Sequence, residues 1–198
     1  VATPSASPAS SAYGQSGTFT ATVNITSPGG GSLNGNVVFY DWGSTLATVA
    51  ISGPSGTSVS TSTSSLYAGT HSITAKYFDS LSLSNFYDSP LSSALSFTVS
   101  KANTSITINS SSSGYNGIPV WWYSATATVT GATPTGFLYF NYTDGAAVSH
   151  RYLCVLSSGS CTVNFQTSWV YYTVYAYYYG DINFNAASNN GVSAATGR

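Results

Sequence analysis

Apolar and polar residues alternate in short runs along the whole chain. Residues 18–23 read Thr-Phe-Thr-Ala-Thr-Val, residues 37–40 Val-Val-Phe-Tyr, residues 73–77 Ile-Thr-Ala-Lys-Tyr and residues 95–99 Leu-Ser-Phe-Thr-Val, with clusters of Ser, Gly, Asn and Pro between them. A period of two sends successive side chains to opposite faces of an extended strand, and no stretch shows the spacing of a helix face. The chain is therefore expected to be all-β. Strands at this spacing, with no helical segments between them, favour antiparallel sandwiches over a parallel sheet.

The pattern occurs twice. Ser10-Ser11-Ala12-Tyr13-Gly14 followed by residues 18–23 answers to Ser112-Ser113-Gly114-Tyr115-Asn116 followed by Ala125-Thr126-Ala127-Thr128-Val129. Residues 35–41 answer to 136–141, and His71-Ser72-Ile73-Thr74-Ala75-Lys76-Tyr77 to Tyr172-Thr173-Val174-Tyr175-Ala176-Tyr177-Tyr178. A chain of 198 residues suits two such units, so domains are expected at 1–100 and 101–198. The joint, at Lys101-Ala102-Asn103, is short enough to limit hinge freedom.

The ends of the two halves differ. Leu95, Phe97 and Val99 alternate as a good final strand, whereas residues 185–198 contain no alternating large apolar residues. The second domain is thus expected to lack its own last strand, which leaves an edge that another chain can fill by β-augmentation. The candidate donor is the tail at residues 1–10, with Val1, Ala2, Thr3 and Ser5 as its contact residues and prolines that suit an edge. Head-to-tail pairing of that kind does not close and generates a filament.

Charge narrows the partners. Only 5% of residues are charged and the net charge is -1, so no basic stripe is available for nucleic acid or anionic lipid. No apolar run is long enough to insert in a bilayer, and a chain that opens on Val1 is expected to be a mature, processed product. A soluble protein usually carries far more surface charge, which points to glycans or to burial of the surface in an assembly. Four Asn-x-Ser/Thr sequons, at Asn24, Asn103, Asn109 and Asn141, offer attachment points. Their number is close to what chance gives in so Ser- and Thr-rich a chain, so their weight comes from the missing charge.

Cys154 and Cys161 frame Val-Leu-Ser-Ser-Gly-Ser. A tight turn over Ser157 and Ser158 would set them opposite each other on paired strands as a hairpin disulfide, which implies an oxidising compartment; two unpaired thiols are the alternative. The acids are five scattered Asp residues, Asp41, Asp79, Asp88, Asp144 and Asp181, so neither a carboxylate pair nor a calcium loop is in view. No Gly-x-Ser-x-Gly elbow occurs. No catalytic residue, metal or cofactor is expected. His71 lies at the position answered by Tyr172 in the second half, each two residues before a buried aliphatic, and reads as a structural side chain, while His150 reads as an exposed strand residue.

The most distinctive segment is the aromatic run at residues 169–179. If Tyr172, Val174, Ala176 and Tyr178 face the core, then Trp169, Tyr171, Tyr175, Tyr177 and Tyr179 line the outer face. Such a ladder suits a subunit contact, the protein's own glycans, or a foreign sugar. Trp121 and Trp122 pose the same question, with one side chain inward and its neighbour outward.

The opening at residues 7–16, the Gly-Asn-Val-Val-Phe-Tyr-Asp run at 35–41, and Leu66 with Ala68-Gly69-Thr70-His71-Ser72-Ile73-Thr74-Ala75 and Tyr77 resemble the bacterial immunoglobulin-like repeats of surface proteins and adhesins. The resemblance spans the first half and reaches the second through the internal repeat. It implies two tandem immunoglobulin-like antiparallel β-sandwiches, secreted to the cell surface, without catalytic activity. By architecture, the expected strand donation is similar to that of type 1 pilins and of archaeal threads, which are glycosylated. The expected function is a subunit of an adhesive surface filament whose partners are copies of itself and glycans. The alternative is a spacer or carbohydrate-binding module of a larger adhesin.

Overall fold

A computed structural model describes residues 4–79, 86–113, 121–131, 133–144, 147–167, 171–189 and 191–195. The chain divides into two compact units, Val1–Ser100 and Lys101–Arg198. Among the described residues every regular element is a strand.

Domain 1 contains β1 (Ser5–Ser7), β2 (Ser10–Ala12), β3 (Gly17–Val23), β4 (Leu33–Asp41), β5 (Ser44–Gly53), β6 (Thr57–Thr63), β7 (Gly69–Asp79) and β8 (Leu95–Ser100). They form a three-stranded sheet, β1-β3-β6, and a five-stranded one, β2-β8-β7-β4-β5. The chain changes sheet between β1 and β2, which makes β2 and β8 the one parallel pair among the named strands. Every second residue of β3 is buried, as its alternation requires. Phe19 from one sheet meets Phe97 from the other edge-on, with ring centroids 5.0 Å apart. Val37, Phe39 and Ile73 close the same core without exposed surface, and each such side chain contributes roughly 1.5–3 kcal/mol by leaving water. On the outer side of the three-stranded sheet the hydroxyls pair across strands, Thr18 with Ser62, Thr20 with Ser60 and Thr22 with Ser58, each at 2.7 Å.

Domain 2 repeats the plan with β9 (Ile106–Ser113), β10 (Trp121–Val129), β11 (Phe137–Asp144), β12 (Ser149–Val155), β13 (Ser160–Thr167), β14 (Tyr171–Tyr178), β15 (Ala187–Ser188) and β16 (Val192–Ala195). One sheet is β13-β10-β9, and the other is β12-β11-β14 with both β15 and β16 on β14. The register is conserved between the halves: Val37 faces Tyr77 and Phe39 faces Ala75, as Leu138 faces Tyr178 and Phe140 faces Ala176. So is a polar bond. The buried Tyr77 hydroxyl donates to the Asn34 carbonyl at 3.2 Å and the buried Tyr178 hydroxyl to the Thr135 carbonyl at 2.9 Å, each across 43 residues of sequence. Burial pushes the pKa of both phenols upward, so both stay neutral donors.

Two expectations are corrected here. The second domain has a last strand: Tyr177 and Tyr178 pair with Ser188 and Ala187, and residues 171–174 of β14 pair with 192–195. Ladder pairing is made by backbone groups, so it needs no large apolar side chains. Asn189 joins the two pieces, its backbone donating to the Ala176 carbonyl and its side-chain amide to the Ile106 carbonyl of the other sheet. Of the tail, Ser5–Ser7 pairs with β3 and Ser10 with β8 in its own domain. Ser5 pairs with Thr20, whereas Val1, Ala2 and Thr3 lie outside the described residues. Finally, Cys154 and Cys161 form a disulfide with Cα atoms 6.1 Å apart, but β12 and β13 belong to different sheets. The bond therefore staples the two sheets instead of closing a paired hairpin, because the chain at residues 156–159 turns the corner from one sheet to the other.

Candidate functional site

The outer face of the five-stranded sheet in domain 2 concentrates exposed aromatic side chains. Core and surface alternate along β14: Val174, Ala176 and Tyr178 are buried, whereas Tyr175 and Tyr177, with Tyr179 just beyond the strand, are 42%, 38% and 56% exposed. Register carries the pattern across the sheet. Tyr177 lies beside Tyr139, which lies beside Leu153, and Tyr175 lies beside Asn141, which lies beside Arg151. Phe137, Leu153 and Val155 are also more than half exposed, so the face is apolar beyond what single surface residues would produce.

The rings are pre-arranged. Tyr177 and Tyr179 meet edge-on with centroids 4.5 Å apart, and Tyr139 meets Tyr179 at 5.2 Å. The Arg151 guanidinium lies 3.8 Å from the Tyr139 ring centroid and donates to the Tyr179 hydroxyl at 3.2 Å. These contacts hold the rings in place before any partner arrives, which lowers the ordering cost of an interface. Tyr171 opens β14 opposite Ala195, and Trp121 and Trp122 belong to β10. Trp169 lies outside the described residues.

The sequons sit at exposed positions. Asn24 follows β3, Asn109 is within β9, and Asn141 is at the centre of the tyrosine face between Arg151 and Tyr175. Asn103, in the joint, accepts a bond from the Asn185 amide at 2.9 Å. His150 is not simply exposed: it is half-buried and stacks on Tyr142 with centroids 4.5 Å apart. Asp181 has a structural setting. Burial raises its pKa, but donors from Thr135, Asn183 and Phe184 outweigh it and hold the carboxyl below the usual range. Among the described residues no three of His, Cys, Asp and Glu come together as a metal group.

A second feature, in domain 1, escaped the sequence reading. β4 and β5 are joined by the two-residue turn Trp42-Gly43, with φ of 47° and 85°. Two positive φ values in a two-residue hairpin favour Asn, Asp or Gly, and a bulky residue there costs roughly 1–2 kcal/mol of backbone strain. The turn is nonetheless held firmly. His71 is buried and its two ring nitrogens lie 2.7 Å from the Asp41 carboxylate and 2.8 Å from the Tyr67 carbonyl. Asp41 also accepts from the Ser72 backbone, the Trp42 backbone donates to the Ser72 carbonyl, and the indole N–H donates to the Thr70 carbonyl at 3.2 Å. Trp42 remains 71% exposed. It borders a cavity of about 320 Å³ lined by Tyr40, Trp42, Gly43, Ser72, Thr74 and Leu91. The signal available in the sequence was Asp-Trp-Gly between two alternating runs, a hairpin turn carrying a residue that such turns disfavour.

Each unit is built of two sheets, with the register of the central strands repeated between them, and the fold is that of an immunoglobulin-like β-sandwich. Residues 4–100, just under half of the chain, match the family described as bacterial Ig-like domain (group 3), and the first domain carries that match. No curated protein matches the chain. Similar solved structures include the human OSCAR ligand-binding domain, at 11% identity over 98% of this chain and 97% of that one, with a TM-score of 0.35. Another is a Bifidobacterium dentium β-glucuronidase complexed with coumarin-3-O-glucuronide, at 9% identity over 91% of this chain and 39% of that one, with a TM-score of 0.38. Overlap this loose carries no functional argument. Among the described residues no helix is long and apolar enough to cross a membrane.

Proposed function

We propose that the chain is a non-catalytic structural subunit of an extracellular surface assembly, joined to copies of itself in an adhesive filament. The observation that carries this reading is the uneven closure of the two domains. In domain 1 the last strand is six continuous residues that bury Phe97 and Val99. In domain 2 the same edge is covered by pieces of two and four residues. β1, the tail strand, is also only three residues long. Short pairings at an edge are the ones most easily exchanged for a longer strand from a neighbouring copy. The tyrosine face then supplies lateral contact, and a net charge of -1 leaves copies without mutual repulsion. Sugars on the exposed sequons would hydrate a surface so poor in charge.

Electron microscopy of the protein incubated at high concentration tests the reading. Regular filaments that disappear when residues 1–10 are removed are expected; a tail-deleted protein that polymerises like the parent would overturn strand exchange. The second reading is a spacer module of a larger adhesin whose tyrosine face holds carbohydrate, and it is favoured by the ready-made ring cluster of Tyr139, Tyr177 and Tyr179. Its mark would be a monomeric particle with sugar binding that a Tyr177→Ser, Tyr179→Ser variant loses.

A further inference from the structure

We infer that the Trp42 turn of domain 1 is a binding site for a neutral sugar ring, separate from the tyrosine face and independent of whether the chain polymerises. Backbone strain is the first argument. A bulky residue is held where Asn or Gly would fit without cost, and strain of this kind persists only when surrounding structure enforces it. Here the enforcing parts are visible: the buried His71, the Asp41 carboxylate and two bonds from Trp42 to the start of β7.

The arrangement also leaves a ring face free. With its N–H spent on the Thr70 carbonyl, the indole offers only its flat surface. Tyr40 adds a second ring and Leu91, at 56% exposure, an apolar rim. Tyr40, Ser72 and Thr74 line the same, mostly apolar cavity, and no hydrogen bond from their hydroxyls is seen among the described residues. A flat apolar floor flanked by hydroxyl-bearing residues suits a ligand having C–H groups on one face and hydroxyls at its edge. That is the chemistry of a pyranose. No charged side chain lines the cavity, so the sugar is neutral rather than a uronic or sialic acid. The volume lies at the small end of the roughly 300–1,000 Å³ of ligand pockets, which favours a single ring or a chain end.

The repeat points the same way. Continuing the shared register places Tyr142, Thr143 and Tyr172 of domain 2 where domain 1 has Asp41, Trp42 and His71. The frame therefore does not need this turn, and the buried His-Asp pair acts as its positioning device.

The test is affinity electrophoresis of the full chain in gels containing neutral polysaccharides such as hydroxyethyl cellulose, amylopectin or galactomannan. It is paired with titration of the indole N–H resonance of Trp42 by methyl pyranosides. At least one polysaccharide is expected to retard the parent, and Trp42→Asn to weaken that retardation by tenfold or more. Because Asn-Gly suits this turn, the same variant is expected to melt at or above the parent temperature, which a merely structural Trp42 would not allow. Should the variant prove unstable, Thr74→Val keeps the shape and is expected to weaken retardation severalfold. The site is overturned if no polysaccharide retards the parent and no pyranoside moves the Trp42 signal. It is equally overturned if Trp42→Asn binds like the parent while Tyr177→Ser, Tyr179→Ser does not, which would assign the sugar to the tyrosine face.

Discussion

The two domains share a frame and differ in what they put on it. Across the outer face of the five-stranded sheet, domain 1 sets Thr48 beside Val38 and Lys76, and Thr45 beside Tyr40 and Thr74. At the matching rows domain 2 sets Leu153 beside Tyr139 and Tyr177, and Arg151 beside Asn141 and Tyr175. The inward positions stay apolar in both, and the Tyr-to-carbonyl bond recurs at the same separation. Core packing is constrained by volume and by the need to pair buried polar groups. Outer positions carry neither constraint, so they are where the two domains could acquire different contacts.

The means of closure differ as well. Domain 1 relies on a final strand with large side chains, whereas domain 2 combines a weak edge with a staple between its sheets and a carboxylate clamped by four donors. Phe97→Ala should be the most damaging change, removing about 3–5 kcal/mol from domain 1 alone. Calorimetry that resolves two transitions would show the first falling and the second staying. Replacing both cysteines by Ala should do the reverse and cost domain 2 about 2–3 kcal/mol, from the short loop that the bond closes; a fall in both transitions would mean that the domains do not unfold separately.

The smallest effect is expected from acid. The folded pKa of Asp181 lies below its unfolded value, so its contribution is present above the unfolded pKa and is lost as pH falls through the folded one. Melting between about pH 5 and pH 2 should lower the second transition, and Asp181→Asn should flatten that part of the decline. An unchanged slope in the variant would assign the acid sensitivity to other carboxyls.

How far the sequence could be read depends on which atoms make each feature. Strands, the repeat and the inward Val174, Ala176 and Tyr178 of β14 were legible because side-chain alternation itself encodes them. The last strand of domain 2 was not, since residues such as Ala187, Ser188 and Ser193 pair through backbone groups that every residue shares. The cysteines announced a bond but not its sheets, because turn length alone does not tell a hairpin from a corner. On the tyrosine face, Tyr175, Tyr177 and Tyr179 were legible from period alone, whereas the contribution of Arg151 and Leu153 depends on which strand lies next to β11. Trp42 was missed because its meaning lies in a dihedral angle.

The paired hydroxyls on the three-stranded sheet of domain 1 have a consequence for the wetting of the molecule. Thr18, Thr20 and Thr22 with Ser58, Ser60 and Ser62 form a patch in which no group gains or loses a proton in ordinary water, and in each pair either oxygen can be the donor. Its hydration has no isoelectric point and nothing for salt to screen, so this patch meets brine, acid or fresh water with the same surface.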